Sequence, residues 1–344
     1  MNPSAYAAVR FVLSALVVSA TAVPCLAQTV LTGSSYLPAG ILPVGPGIVQ
    51  WGQDVEKATA GRVKMNLLPK AVSNPQGSLD AVRDGLADVS WTVHGLTPAR
   101  FVLTKVAEFP MLGDKGEQTS VAYQRIHERY LEKAGEHKGV KVLAVFTHSA
   151  GQIFNNLRPV RTINDLVGLK MRTAGGVILD TSKVLGVVPV LRPAPEIYEL
   201  VSTGVVDGVF LNVMGITGFK IERNIKYATL VPGGLYNTSF VLFMNEERFN
   251  KMSKADQEAI MSVSGEHVAR RVGKAFDRED IGGLEALRTN KAEVLNAPAD
   301  FVQALAAKVA PVEAAWVKEA GARGIDGAKV LAEFRAEVRK VNIQ

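Results

Sequence analysis

The sequence predicts an α/β protein made of two α/β units. Helix and strand patterns alternate from residue 29 to residue 149, as is typical of a mostly parallel sheet with helices on its faces. A second alternating series occupies residues 150–238, and an apolar strand at Ser239–Met244 leads back toward the first. The 344 residues of the chain are enough for two domains of ordinary size.

Residues 1–28 are predicted to form a secretory signal peptide. Arg10 is the single charge in this stretch, an apolar run follows it, and small residues precede a cleavage point after Ala27. A membrane anchor is the alternative, but the apolar run is too short to span and Pro24 interrupts it. A lipoprotein is also disfavoured, because Pro24 precedes Cys25 where a small residue is expected. We therefore expect an exported, periplasmic protein.

Composition excludes several classes of function. Cys25 is the only cysteine, so the mature chain has no thiol nucleophile and no thiolate metal site. The formal charge is +6, but no run of basic residues exceeds a pair such as Arg270-Arg271, and acidic residues are interleaved throughout. We expect no nucleic-acid partner. No later apolar run approaches a membrane span, so we expect no membrane insertion of the mature chain.

The predicted elements of the first unit end at a loop suited to ligand binding. They are strand Thr29–Ser35, helix Ile48–Ala60, strand Arg62–Leu68, helix Gly77–Gly85, strand Ala87–Val93, helix Val121–Ala134 and strand Val140–Phe146. The loop His94–Pro98 follows the strand that carries Trp91. Open α/β sheets bind ligands at the carboxyl ends of their strands.

The second unit and the C-terminal region complete the predicted domain organisation. The elements are helix 178–186, strand Val187–Leu191, helix Glu196–Thr203, strand Asp207–Asn212, a long helix capped by Ser253 that bends at Gly282-Gly283, a helix opened by Pro298 that contains Pro311 and Trp316, and a final helix Ala328–Val341. We expect domain I at 29–149 plus about 239–290, domain II at 150–238, and C-terminal helices at 291–344 packing across both.

Catalytic and cofactor motifs are missing from the sequence. His127-Glu128 begins a zinc-protease pattern, but Leu131 stands at the second histidine position. Gly45-Pro46-Gly47 lacks the third glycine of a dinucleotide loop, and neither a Walker motif nor G-x-S-x-G is present. Asp207 is interpreted as a turn residue before Gly208 rather than as a catalytic acid. We predict no catalytic residue, no metal and no cofactor, which favours a binding protein over an enzyme.

Arg172 is the main candidate for ligand binding. It ends a short apolar strand at Leu169–Arg172, and the small residues Thr173–Gly176 follow. The planar arginine fork can give two parallel charge-assisted hydrogen bonds to a carboxylate and keeps its charge at every relevant pH. An internal salt bridge to Glu196 or Asp207 is the structural alternative, and the residues alone leave both open.

Several stretches together resemble one protein family. GLKMRTAGG follows NNLRPVRTINDLVG, and Gly61–Lys64, VHGLTPARF ending at Phe101, Val205–Gly208 and FMNEERFNKMSKADQEAI occur in the family's order and spacing. Over essentially the whole mature chain, the sequence resembles the solute-binding proteins of tripartite ATP-independent periplasmic (TRAP) transporters, in the group related to the dicarboxylate-binding proteins.

The resemblance implies a fold, a function and partners. The fold would be that of periplasmic solute-binding proteins, with two α/β domains around a central ligand cleft, joined by strands and a long bent helix. Arg172 would bind the carboxylate of a small organic acid, and Arg158 would be a second, less constant basic contact. The partners would be the ligand and the transporter's membrane subunits. An exported α/β enzyme and the binding protein of an ATP-driven importer are the alternatives.

One departure from the family pattern bears on the ligand. Many members carry Pro-Trp-Glu or Glu-Asn-Pro after the Asp-Gly pair, whereas this chain has the apolar stretch Val209–Met214. A sugar acid such as sialic acid is therefore disfavoured, and a monocarboxylate with an apolar or aromatic body is favoured. The candidate aromatic contacts, each of which is alternatively an ordinary core residue, and the candidate polar contacts are Trp91, Phe154, Phe210 and Tyr236, with His94, Asn155 and Asn212.

Overall fold

A computed structural model describes residues 28–343, which contain eleven strands and eleven α-helices. The predicted signal peptide lies outside the described residues. The strands are β1 (Thr29–Gly33), β2 (Val63–Leu67), β3 (Val89–Val93), β4 (Val140–Thr147), β5 (Gly151–Asn155), β6 (Lys170–Thr173), β7 (Val188–Leu191), β8 (Gly208–Asn212), β9 (Tyr227–Leu230), β10 (Ser239–Asn245) and β11 (Glu293–Asn296). The helices are α1 (Gln50–Ala58), α2 (Ser78–Arg83), α3 (Gly116–Ile126), α4 (Val177–Val184), α5 (Ile197–Ser202), α6 (Gly215–Gly218), α7 (Glu246–Asn250), α8 (Lys254–Ser262), α9 (Glu266–Thr289), α10 (Ala299–Ala322) and α11 (Gly327–Lys340).

The first sheet has the strand order β2-β1-β3-β10-β4. β1 runs parallel to β2 and β3, whereas β10 is antiparallel to both β3 and β4. The apolar strand predicted at Ser239–Met244 thus returns to the first sheet and separates two strands that are much earlier in the chain. Its register places Phe240 opposite Val93 and Leu242 opposite Trp91. The start of β10 therefore lies beside the carboxyl end of β3.

The second sheet has the strand order β11-β9-β5-β8-β6-β7. β6 is parallel to β7 and β8, β5 is antiparallel to β8 and β9, and β11 is parallel to β9. β11 is not predicted from the sequence, because its four residues Glu293–Asn296 offer only two central apolar side chains. The structure thus has two mixed β-sheets with helices packed on them. The two-domain α/β fold class predicted from the sequence is confirmed.

The long helix predicted to begin after Ser253 is divided in two. The Ser253 side chain accepts a hydrogen bond from the amide of Asp256 at 3.1 Å and so caps α8, as expected. The chain then turns at Gly265, whose φ of +57° suits glycine, before α9 begins. α9 continues through Gly282 and Gly283. A side chain at Gly283 would lie 2.3 Å from the Val213 carbonyl oxygen, so this glycine allows α9 to approach the end of β8.

The C-terminal helices α10 and α11 pack onto helices α4 and α3, which lie beside the second and the first sheet. The indole Nε1 of Trp316 on α10 donates a 2.8 Å hydrogen bond to the carbonyl of Val102, and α10 also contacts α4. Glu337 on α11 pairs with Arg125 on α3 at 2.8 Å. The division into domain I, domain II and C-terminal helices stays a prediction. Across residues 28–343, no helix combines the length and the apolar character needed to cross a bilayer.

Candidate ligand-binding site

A cavity of about 70 Å³ lies where elements of the two sheets meet. The first sheet and the loops beside it contribute most of the aromatic wall, and the second sheet contributes Arg172 on β6 with Leu211 and Asn212 on β8. The lining residues on which the argument depends are Tyr36, Trp91, His148, Arg172, Leu211, Asn212, Met214, Tyr236, Thr238, Phe240 and Phe276. Because the walls come from chain segments far apart in sequence, the relative position of the two sheets defines the site.

Arg172 is held in place by the strand that carries it. In β6, Met171 and Arg172 point to opposite faces, with Met171 in the hydrophobic core and Arg172 toward the cavity. Asp207 pins the start of this strand, because its Oδ2 accepts a 2.8 Å hydrogen bond from the amide of Lys170. Nε of Arg172 donates to the carbonyl oxygen of Arg192 at 2.9 Å. Arg172 is only 3% exposed.

Neither of the internal salt bridges considered from the sequence is formed. Glu196 pairs with Arg192 at 3.4 Å, and the Asp207 carboxylate accepts the backbone hydrogen bond at Lys170. Among residues 28–343, no carboxylate lies within ion-pair distance of Arg172. Burial lowers the pKa of Arg172 to about 10, while Tyr236, Tyr36 and Glu196 act in the opposite direction. The side chain is therefore still a cation at neutral pH, and its environment suits an anion.

Aromatic rings form one wall of the cavity. Tyr36 stacks on Trp91 with ring centroids 4.3 Å apart, and Trp91 is 6.0 Å from Phe240. Phe240 in turn stacks with Phe276 of α9 at 6.2 Å. The indole Nε1 of Trp91 donates to Ser35 Oγ at 3.0 Å, so the polar end of the ring is satisfied within the protein. This wall suits a flat apolar body such as a phenyl ring.

A small group of polar side chains lies beside the rings. His148 is buried, and burial lowers its pKa to about 4, so the imidazole is neutral at pH 7. Its Nε2 is 2.9 Å from Thr238 Oγ1, and its ring meets Tyr236 edge-on at 5.4 Å. Asn212 Nδ2 donates to Ser149 Oγ at 3.3 Å. These groups give the cavity uncharged hydrogen-bonding capacity in addition to the Arg172 cation.

Backbone segments that follow β3 and β6 pack closely against each other beside the cavity. Gly95, after β3, faces Gly175 and Gly176, after β6, so closely that a side chain at Gly95 would lie 2.7 Å from Gly176 N. Next to them, Glu108 Oε2 accepts a 2.9 Å hydrogen bond from the amide of Val177 at the start of α4. The two sheets are therefore in direct contact at this edge.

The structure places four of the predicted contact residues along the cavity: Trp91, Arg172, Asn212 and Tyr236. Phe210 and Phe154 do not reach it. Both are fully buried in hydrophobic clusters, because the cavity meets only the last residues of β8 and lies away from the middle of β5.

His94 also lies outside the cavity lining, contrary to the expectation from its loop. Its Nδ1 is 3.0 Å from Ser239 Oγ, and its Nε2 is 2.8 Å from His137 Nε2. After the short turn that follows β3, the ring packs against Phe101 and Tyr123. Burial lowers its pKa to about 3. It is therefore a neutral member of a buried polar network.

Asn155 and Arg158 organise the chain between β5 and β6. Asn155 Oδ1 accepts hydrogen bonds from the amides of Leu157 and Arg158, both at 3.0 Å. Arg158 donates from Nε to the carbonyl of Asp165 at 2.9 Å and from Nη2 to the carbonyl of Val167 at 2.7 Å. Neither residue lines the cavity, and the second basic contact expected at Arg158 is directed at backbone carbonyls instead.

Several lining residues are not predicted from the sequence. Tyr36 follows the carboxyl end of β1, so its position at a strand end is the one feature that identifies it as a candidate. His148, Thr238, Phe240 and Phe276 carry no motif, and they meet only because β10 inserts between β3 and β4. In the part of the chain that the structure describes, no group of three or more histidine, cysteine or acidic side chains is arranged to hold a metal ion.

A cleft between two α/β units that encloses a buried cation and aromatic walls is the kind of site that a solute-binding protein has. The family profile described as bacterial extracellular solute-binding protein, family 7 (DctP), matches residues 36–319. This match spans most of the chain, so the chain belongs to that family of TRAP solute-binding proteins, as the sequence analysis predicts.

Individual relatives match over nearly the full length. The outer membrane transporter protein TsaT of Comamonas testosteroni is 31% identical over 313 residues, which cover 90% of this chain and 91% of the relative. A TRAP periplasmic solute-binding protein from Bordetella bronchiseptica, solved with bound (R)-mandelate and (S)-mandelate, has a TM-score of 0.89 and 42% identity, covering 92% of this chain and all of that one. A TRAP solute-binding protein from Rhodoferax ferrireducens, solved with copurified benzoate, has a TM-score of 0.84 and 27% identity, covering 91% and 98%.

These relatives bear on whether the protein is a binding protein or an exported enzyme. The family and the structural neighbours are solute-binding transport proteins rather than enzymes. TRAP solute-binding proteins are periplasmic, in agreement with the compartment expected from the sequence, whereas the leader itself lies outside the described residues.

Proposed function

We propose that this protein binds an aromatic monocarboxylate, pairs its carboxylate with Arg172, and delivers it to the membrane subunits of a TRAP transporter. The single observation that carries the proposal is the buried Arg172 guanidinium, which has no acidic partner within the described residues and lies in an aromatic-walled cavity. A buried charge of this kind is costly unless a counter-ion joins it, so a ligand carboxylate would supply the missing partner.

The walls support an aromatic rather than a strongly polar ligand. Tyr36, Trp91, Phe240 and Phe276 offer ring faces, and Leu211 adds aliphatic surface. A second carboxylate on a ligand would face these apolar groups without a cation to pair with, which is unfavourable. The mandelate and benzoate bound by the two similar solved proteins belong to the class that this chemistry selects.

Titration calorimetry tests the ligand class directly. We expect saturable binding of mandelate or benzoate and no measurable binding of succinate, a dicarboxylate without an aromatic ring. If succinate bound more tightly than both aromatic acids, the proposed class would be wrong. Product formation from a bound acid would favour the exported enzyme instead.

A pair of arginine variants tests the role of Arg172. Arg172→Ala should weaken benzoate binding by at least about 2 kcal/mol, or roughly thirtyfold, because it leaves a desolvated carboxylate unpaired. Arg158→Ala removes the same charge outside the cavity and should leave the affinity unchanged. Equal losses in both variants would point to a general electrostatic effect and restore Arg158 as a contact.

Delivery to the membrane subunits is a separate part of the proposal. In vesicles that contain the two membrane subunits, uptake of labelled benzoate should require this protein and an ion gradient. Uptake that depends on ATP hydrolysis would instead indicate an ATP-driven importer.

A further inference from the structure

The proton on His148 can be assigned from its neighbours. Its Nδ1 contacts the backbone carbonyl oxygen of Ser149, an atom that can only accept a hydrogen bond. Nδ1 must therefore carry the proton. The imidazole is buried and neutral, so it has a single N–H, and Nε2 is left as an acceptor.

This tautomer fixes the orientation of the Thr238 hydroxyl. Thr238 Oγ1 lies 2.9 Å from His148 Nε2, and because Nε2 accepts, the hydroxyl must donate its single proton there. Only lone pairs remain on the oxygen for any other partner. Thr238 lines the cavity, so it offers a ligand or the neighbouring Tyr236 hydroxyl an acceptor and no donor.

Asn212 adds a second group of the same polarity. Its Nδ2 donates to Ser149 Oγ at 3.3 Å, which directs the amide nitrogen away from the ligand. Within residues 28–343, no hydrogen bond is donated to Asn212 Oδ1. Besides the Arg172 guanidinium, which can only donate, and the hydroxyls of Tyr36 and Tyr236, the cavity therefore has two oxygens that can only accept, Thr238 Oγ1 and Asn212 Oδ1.

We infer that the site selects 2-hydroxy acids over the corresponding 2-oxo and unsubstituted acids, with Thr238 as the residue that determines this specificity. Arg172 and Thr238 both lie next to Tyr236 in the cavity, so the ligand groups that meet them are close neighbours on the ligand. A hydroxyl on the carbon next to the carboxylate can donate to Thr238 Oγ1. A keto oxygen at the same carbon would place its lone pairs against those of Thr238 Oγ1, which is unfavourable. The inference rests on the proposed function, because it takes the carboxylate to be at Arg172.

Three acids of similar size test this selection. Calorimetric titration should show mandelate binding about tenfold or more tightly than both phenylglyoxylate and phenylacetate, since an unmatched polar group is costly to bury. Equal affinities, or a preference for phenylglyoxylate, would overturn the inference while leaving the proposed function intact. If none of the three acids binds and benzoate also fails, the proposed function and the inference are both wrong.

Two further measurements assign the effect to Thr238. Thr238→Val keeps the shape of the side chain but removes the hydroxyl, and the preference for mandelate over phenylacetate should fall below about threefold. Thr238→Ser keeps the hydroxyl and should keep the preference. A preference that persists in Thr238→Val contradicts the assignment.

The tautomer can also be measured without any substitution. In the unaltered protein labelled with ¹⁵N-histidine, two-bond proton–nitrogen correlations should show His148 protonated at Nδ1 and unprotonated at Nε2. Protonation at Nε2 would overturn the inference even if the Thr238 variants failed to fold.

Discussion

Arg172 and Arg192 are joined by a 2.9 Å hydrogen bond from the Nε of Arg172 to the backbone carbonyl oxygen of Arg192. Arg192 follows β7, which pairs in parallel with β6, so the same strand pairing that positions Arg172 also supplies its acceptor. This bond occupies Nε and leaves the two terminal nitrogens, Nη1 and Nη2, available. They are oriented as a pair, which is the geometry that a carboxylate needs for two parallel hydrogen bonds.

Replacing Arg172 by methionine should separate stability from binding. The variant Arg172→Met removes a buried charge that lacks an acidic partner in the described chain, so the ligand-free protein should become more stable, by about 1–3 kcal/mol in urea unfolding. The same variant should lose benzoate binding. Destabilisation of the ligand-free protein would show that Arg172 has a structural partner that the charge argument omits.

Replacing Tyr36 by leucine should weaken aromatic ligands selectively. The variant Tyr36→Leu removes the ring that stacks on Trp91, and the affinity for benzoate should fall roughly three- to tenfold because aromatic pairing is lost. Binding of cyclohexanecarboxylate should change less. Tyr198→Leu is the matched control, because Tyr198 is 55% exposed and outside the cavity. Equal losses for both acids would argue against a ring contact at Tyr36.

A side chain at Gly95 should keep the two sheets apart. In Gly95→Ala, the new Cβ would lie 2.7 Å from backbone atoms of Gly175 and Gly176, and neither backbone can yield without movement of its sheet. We expect benzoate affinity to fall at least about tenfold, and we expect small-angle scattering to show no compaction on adding benzoate. Gly40→Ala is the control, because a side chain there meets open space. Normal affinity in Gly95→Ala would show that this contact does not govern closure.

Asp280 should give the protein a pH-dependent stability. Burial raises the pKa of this carboxyl from 3.8 to about 7, although hydrogen bonds with Ser149 and Met214 act in the opposite direction. The folded protein therefore retains a proton that the unfolded chain has already lost. This contribution to stability is complete below about pH 4 and disappears as the pH rises through about 7.

Urea unfolding at pH 5 and pH 8 measures this contribution. Between pH 5 and pH 8, the free energy of unfolding of the unaltered protein should fall by about 2 kcal/mol more than that of Asp280→Asn. Glu258→Gln changes an exposed acid on α8 and should follow the unaltered protein. Parallel curves for Asp280→Asn and the unaltered protein would contradict the assignment to Asp280.

Arg172 is a candidate from the sequence because an arginine that ends an apolar strand needs an anionic partner. The residues alone leave an internal salt bridge equally open, and the family resemblance favours carboxylate binding. Phe210 shows the limit of the same reasoning. All five residues of β8 are buried, so nothing in their polarity indicates that the cavity meets the strand at its end, near Asn212, rather than two residues earlier.

The alternation of helix and strand patterns was sufficient to predict the α/β class, since it reflects local periodicity. The rest of the site depends on pairing between distant segments. Phe240 reaches the cavity because it is opposite Val93 in a register that no local pattern encodes. Thr238 precedes that strand and is placed by the same pairing.

The small cavity between the two sheets has a consequence for the timing of binding. A cavity of roughly 150 Å³ is known to hold benzene, so a phenyl acid cannot enter a space of about 70 Å³ unless the sheets separate. Capture should therefore be slowed by the fraction of time that the cleft spends open, and escape must wait for the next opening. We expect the residence time of the solute, measured by stopped-flow tryptophan fluorescence, to report how often the cleft opens.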